Sequence, residues 1–472
     1  MSVRHGIYVQ ERATSMVVPQ SVQSGIPFVI GASPIQSAET PAALGTPVLC
    51  RSFSEFQRKF GYSDDYEKYP LCEFAYVYFV VFGQRPMIAC NLLDPSTMNT
   101  SVAAADIDVS AHRAELPLEA IDDANLVVKS TSSGSALTKG TDYAVVYAGE
   151  KCYVEVLSGG SVYSNSKLNI AYKKVTAASV NASAVATGLS AIDLCPTKLG
   201  MIPNIIAAPG YSQNATVAAA MALKANAIAG MFKAVCVVDL DASSVTTVSG
   251  AVTAAAGLND KTQIVCWPMV GLNGVKFHLS SFIAACIAAT DVDTGNIPAR
   301  SPSNKDLYCD SMVLASGTEV NLTLADADTL NAGGVMTAIN FLSNFKAFGN
   351  YTGAMGASND PKDYYIAFVR MFAYVNNLII RQLWEKLDEP LTFRLLDSLT
   401  DEVNLMLNGL TGSGYLLGAR VEFTQDENPV EDLTEGIARL HIYIAPAAPW
   451  QEGDFIIEYD ANYAKEIFAE FE

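Results

Sequence analysis

Alternation of apolar and polar positions at strand period opens the chain, in GIYVQ at 6–10, and MVVP at 16–19 repeats the apolar signal after a polar stretch. No hairpin partner follows, so this segment reads as an extended arm. Between 25 and 93, the runs at 27–31 and 47–50 read as short strands. Ser52 then precedes Phe53, Phe56 and Phe60 at helical spacing and Gly61 closes the run, which predicts a capped helix. A second helix carries Phe74, Val77, Tyr78 and Val81 and stops at Gly83. From 94 to 176 the pattern becomes short β-runs, at 125–129, 143–147, 151–157 and 167–173, separated by Ser/Gly/Asp segments. Small polar linkers flank it at 94–106 and 175–188, so it reads as an inserted, outward-facing, sandwich-like unit.

Beyond 188 the pattern is α/β. Apolar strands at 205–208, 233–240 and 262–268 and an Ala-rich helix over 216–232 predict parallel strands with a right-handed crossover. Amphipathic helices over 361–387 and 392–407 come next, then alternating strands at 416–424 and 436–444 and a strand-like tail at 454–459. The expected fold is a multidomain chain of α/β and α+β classes. Its divisions are an arm at 1–20, a first block at 21–93, a β-rich outer insertion at 94–187, an α/β domain at 188–362, an α+β module at 363–454 and a terminal arm at 455–472.

Composition changes this picture in one respect. Half of the 472 residues are hydrophobic and only 17% are charged, against about 25% in an ordinary globular chain. That leaves little polar surface for several domains, so part of the apolar surplus is expected to meet another chain. The formal charge of −19 argues against a nucleic-acid coat, which needs a basic face to displace counterions. The apolar runs at 74–82 and 281–289 are half the length of a spanning helix, which takes about 20 residues, and Arg370, Asn376, Asn377 and Arg381 interrupt the longer segment at 364–384. No signal-peptide pattern opens the sequence, so synthesis in the cytoplasm is expected.

Candidate chemistry is sparse. The nine cysteines lack any C-x-x-C or Cys/His pairing at zinc-site spacing and read as buried thiols. Asp239, His278, Ser280 and Ser281 invite a hydrolase triad, but no G-x-S-x-G places a serine on an exposed turn. TGSGYLLG at 411–418 follows a helix and opens a strand, the reverse of a dinucleotide loop. DVDTGN at 291–296 begins like a calcium loop, but the twelfth position is Pro302. No catalytic, cofactor-binding or metal-ligating residue is assigned, and no cofactor is expected.

Several segments carry a resemblance. They are DEPLT at 388–392, LNGL at 407–410, GARVEF at 418–423, DENP at 426–429, LHIYIAP at 440–446 and FIIEYD at 455–460, with HGIYVQE at 5–11, SFSEFQRKFG at 52–61, FKAFG at 345–349 and DPKD at 360–363. Together they resemble the tail sheath proteins of contractile phage tails and related bacteriocin particles. The resemblance implies a non-enzymatic subunit, polymerised as stacked hexameric rings around a tail tube and contracting to drive the tube through a cell envelope for genome ejection. It implies a subtilisin-like middle domain without a triad. It also implies arms that add strands to neighbouring subunits, here through Ile7, Tyr8, Val9, Val17, Phe455, Ile457, Tyr459 and Ile467. The implied partners are further copies of the chain, the tail tube protein, and the baseplate and tail terminator proteins, with neither nucleic acid nor membrane insertion. Arg370, Arg381, Lys386 and Arg394 are the basic candidates for facing the tube. The implied location is the virion tail, assembled in the host cytoplasm. The sheath of another contractile injection system is the near alternative, and a cytoplasmic α/β hydrolase the distant one.

Overall fold

A computed structural model of the chain describes residues 23–465. The N-terminal arm positions Ile7, Tyr8, Val9 and Val17, and Ile467 at the other end, lie outside the described residues.

The body is built on one eight-stranded sheet. β1 (Pro27–Gly31), β2 (Val48–Cys50) and β3 (Met87–Asn91) come from the first block, with α1 (Phe53–Phe60) and α2 (Pro70–Tyr76) between β2 and β3. The six strands of the insertion follow: β4 (Asn99–Ser110), β5 (Arg113–Pro117), β6 (Val127–Lys129), β7 (Tyr143–Ala148), β8 (Lys151–Val156) and β9 (Lys167–Val175). The chain then returns to the body with β10 (Ile205–Ala207), α3 (Ala215–Asn226), β11 (Val235–Asp239), β12 (Gln263–Cys266), the small sheet of β13 (Met269–Leu272), β14 (Val275–Phe277) and β15 (Ser311–Val313), and α4 (Leu279–Val292), which lies between β14 and β15. β16 (Val335–Phe341) and β17 (Asn344–Phe348) complete the main sheet, whose order is β17-β16-β12-β11-β10-β1-β3-β2. The six inner strands are parallel and the two edge strands antiparallel. The described part of the first block, 23–93, and residues 188–362, separate blocks in the sequence, therefore share one sheet and one core.

Every residue of β1, β3, β10, β11 and β12 is buried, as strands covered by helices on both faces require. Local chemistry sets the helix ends. The Ser52 hydroxyl accepts the Glu55 N–H at 3.1 Å, and Gly61 leaves α1 at φ 71°. Two expected helices are cut short. The helix expected to reach 232 stops at Asn226, because Ala229 and Gly230 turn through positive φ and the Ala229 N–H donates to Asp193 at 2.8 Å. The helix expected over 361–387 breaks at Tyr365, whose extended backbone bridges Tyr351, while the Ile366 N–H donates to the Asn350 carbonyl at 2.9 Å.

The insertion forms a six-stranded antiparallel sheet, order β6-β9-β4-β5-β8-β7. Long β4 pairs with β9 and then passes its last two residues to β5, so a single sheet encloses its own core of Leu116, Val128, Val154, Leu168 and Ile170. This replaces the expected two-sheet sandwich.

The C-terminal module consists of α5 (Ile366–Leu383), α6 (Phe393–Gly412), β18 (Leu416–Glu422) and β19 (His441–Pro446). α6 runs five residues further than expected, and β19 begins five residues later. The expected strand at 454–459 is absent: that stretch has no regular structure and no partner strand among the described residues.

Candidate assembly surface

β18 and β19 form an antiparallel hairpin with alternating faces. Leu416, Val421, Ile442 and Ile444 turn inward onto Val375, Leu378, Val403 and Leu407 of α5 and α6. On the outer face the Arg420 guanidinium lies 3.8 Å from the centre of the Tyr443 ring, and His441 stacks on Tyr443 at 4.2 Å. Buried Asn428 closes the connection: its amide donates to the Thr424 and Arg439 carbonyls at 2.8 and 2.9 Å and accepts the Arg439 N–H at 2.7 Å. This accounts for the DENP motif as a loop lock. Among the described residues no third strand pairs with either edge of this two-stranded sheet.

The following chain leaves the module with its apolar side chains in solvent. Phe455, Ile457 and Tyr459 are 81%, 95% and 83% exposed, beside exposed Trp450. Two tyrosine hydroxyls hold the start of this tail, Tyr351 and Tyr365 donating to the Gln451 side chain at 2.8 and 3.4 Å.

Of the four basic candidates, Arg370 is a correction. It is buried and forks onto the buried carboxylate of Asp291, its Nη1 at 2.8 Å from Oδ1 and its Nη2 on Oδ2, so it cannot face a tube. The pairing uses the first Asp of the motif that resembled a calcium loop. Arg381, Lys386 and Arg394 are exposed and gather around the turn joining α5 to α6, with exposed Trp384, Leu387 and Phe393. Sequence reasoning missed that apolar group, although the loss of amphipathic spacing after Leu383 was the available signal.

The polar residues at 239 and 278–281 lie inside the body. Glu73 on α2 accepts the His278 N–H at 3.0 Å, meets His278 Nδ1 at 2.7 Å and accepts the Ser281 hydroxyl at 2.7 Å. Asp239 accepts the Ser280 N–H at 2.9 Å and the Ser280 and Ser212 hydroxyls at 2.5 and 3.1 Å. Two buried carboxylates thus satisfy the first turn of α4. Burial pushes the Asp239 carboxyl up. Burial pulls the His278 imidazole down, but the adjoining Glu73 carboxylate outweighs it and the imidazole is pushed up to about 9. Both serines are fully buried and bonded to carboxylates, so neither is placed as a nucleophile with the histidine as its base. All nine thiols are buried, and burial pushes every one of them up. Among the described residues no cluster of His, Cys, Asp or Glu could hold a metal ion, and no helix is long and apolar enough to cross a membrane.

Fold and surface define a mixed α/β multidomain chain whose last module carries strand edges that are unpaired among the described residues. No family model matches the chain. It is 27% identical over 493 aligned positions to the tail sheath protein of Burkholderia phage BcepMu, covering 97% of each chain. It is 23% identical over 300 positions to a putative prophage major tail sheath protein of Pseudomonas aeruginosa, covering 61% of this chain and 73% of that one. Its fold matches that of the PVC sheath complex of an extracellular contractile injection system in the contracted state, at TM-score 0.59 and 14% identity over 98% of this chain and 99% of that one. The resemblance to tail sheath proteins thus extends over the whole chain. Its function is that of a tail sheath subunit.

Proposed function

We propose that the subunit polymerises as stacked hexameric rings around a tail tube and stores, in the extended lattice, the energy that contraction releases. The observation that carries this reading is the C-terminal hairpin whose two edges are open among the described residues, beside an apolar segment that pairs with no described strand. An exposed strand edge is a template for another strand, and extended apolar segments supply one by backbone pairing. Residues 1–20 and 455–472 are the arms exchanged between neighbours. Ile7, Tyr8, Val9 and Val17 act on one side, and Phe455, Ile457, Tyr459 and Ile467 on the other. Arg381, Lys386 and Arg394 present the basic surface that meets the tube, and the baseplate and tail terminator cap the ends of the cylinder. The role is mechanical rather than enzymatic. The α/β body is a subtilisin-like scaffold whose serines serve as ligands for buried carboxylates, and the particle is a phage tail assembled in the host cytoplasm.

Electron microscopy of the purified full-length chain should show striated cylinders. Deleting residues 1–18 should leave a folded monomer, by circular dichroism and sedimentation, that forms none. Normal cylinders from the deletion would refute the arm assignment.

A further inference from the structure

A cavity lies beside the Glu73–His278 cluster. In the main sheet β1 is followed in sequence by strands that settle to one side of it, β2 and β3, and the chain then crosses to β10 on the other. A sheet that reverses direction in this way opens a crevice at the carboxyl ends of the strands, where α/β folds take ligands. A cavity of about 440 Å³ occupies this edge, lined by Pro70, Gly210, Tyr211, Asp241, Lys276 and His278 among others. That is the size of a small-molecule site.

Its polar groups are unequally committed. Asp241 is largely committed: Oδ1 accepts the Ser243 N–H and hydroxyl at 2.9 and 2.6 Å, and Oδ2 the Ser244 hydroxyl at 2.9 Å. Lys68 is held by Asp65 and Glu119 at 2.8 and 2.9 Å. Lys276 donates to the Ala315 carbonyl at 2.8 Å, and its other neighbour is Glu67, a largely exposed side chain 3.5 Å away. Its remaining N–H groups are available. His278 is fixed from behind, since Glu73 takes its backbone N–H and Nδ1, while its second ring nitrogen has no hydrogen bond to a described residue. Because Glu73 keeps the ring protonated, that nitrogen is a donor, on a residue that lines the cavity.

We propose that this cavity binds a small molecule bearing a carboxylate or phosphate, its oxygens taken by Nε2 of His278 and Nζ of Lys276. Glu73 orients the imidazole, and Tyr211 and Pro70 supply the apolar wall against the rest of the ligand. Charge-assisted hydrogen bonds to both donors would set the affinity.

The test is isothermal titration of the full-length subunit with inorganic phosphate and with citrate, against chloride at matched ionic strength. Saturable one-to-one binding of either oxyanion is expected, with chloride inert. Lys276→Gln sits on the rim and leaves the Glu73 hub intact; it should weaken binding about tenfold, as should the paired change Glu73→Gln with His278→Gln, which avoids stranding a buried charge. No saturable binding of either probe, or binding unchanged in both variants, would overturn the proposal.

Discussion

The body and the C-terminal module solve the same problem by opposite means. In the body, parallel strands are buried on both faces, and both edges of the sheet are antiparallel strands supplied by the same chain. In the module, two strands and two helices enclose a much smaller core, both strand edges stay unpaired among the described residues, and large apolar side chains from Trp384 to Tyr459 remain in solvent. One region is completed by its own sequence. The other leaves strand edges unpaired and large apolar side chains uncovered among the described residues.

The two regions are nonetheless joined firmly, and the largest expected effect tests that joint. Arg370→Met leaves Asp291 charged and unpaired in the interior and should cost about 3–5 kcal/mol in urea denaturation. Adding Asp291→Asn should restore most of the loss. Next come matched cavities, Phe282→Ala in the body and Leu407→Ala in the module, each costing about 2–5 kcal/mol. If the joint holds, both variants still unfold in a single transition; a separate early transition for Leu407→Ala would show that the module melts alone.

A body-specific prediction follows from His278. Its imidazole is pushed from an ordinary value near 6.5 up to about 9, so the stability it contributes is complete below about 6.5 and is lost as pH rises through about 9. Melting temperature should fall across that window, with Glu73, Asp239 and Lys276 the charged neighbours, and the paired change Glu73→Gln with His278→Gln should flatten the fall. Ser52→Ala removes a helix cap and should cost about 1 kcal/mol. Smallest in stability is Phe393→Ser on the exposed turn of the module, within about 0.5 kcal/mol. Should that turn face a partner, the same change will lower the yield of striated cylinders without altering the monomer.

Which of these features the sequence discloses depends on how local their causes are. The α1 helix is legible because Ser52, three phenylalanines and Gly61 all lie within the ten residues 52–61. The parallel strands are legible because burial on both faces leaves an uninterrupted apolar run. Arg370 is misread from spacing, since a charged residue on an amphipathic helix looks solvated unless its partner, 79 residues away, is known. The break at Tyr365 is hidden for the same reason: the Asn350 carbonyl and the bridge to Tyr351 capture its backbone, although the side chains there are compatible with a continuous helix. At the assembly surface the apolar residues at 455–459 are legible and their conformation is not, because no described residue packs on them to order them.

α5 serves both regions at once. Ile366 and Val369 lie in the core of the body, Met371, Tyr374, Val375 and Leu378 in the core of the module, and the Asn377 side chain takes the Lys233 N–H at 2.8 Å and donates to the Lys233 carbonyl at 2.7 Å. This has a consequence for inheritance. Recombination between diverged genes that breaks near residue 363 would bring in a helix required to match Asp291, Lys233 and two foreign cores together. The outer insertion keeps most of its core to itself, with Ile121 and Val175 reaching the body's core, and should be the easier part to exchange. The C-terminal module must descend with its body, and lineages should trade the first far more often than the second.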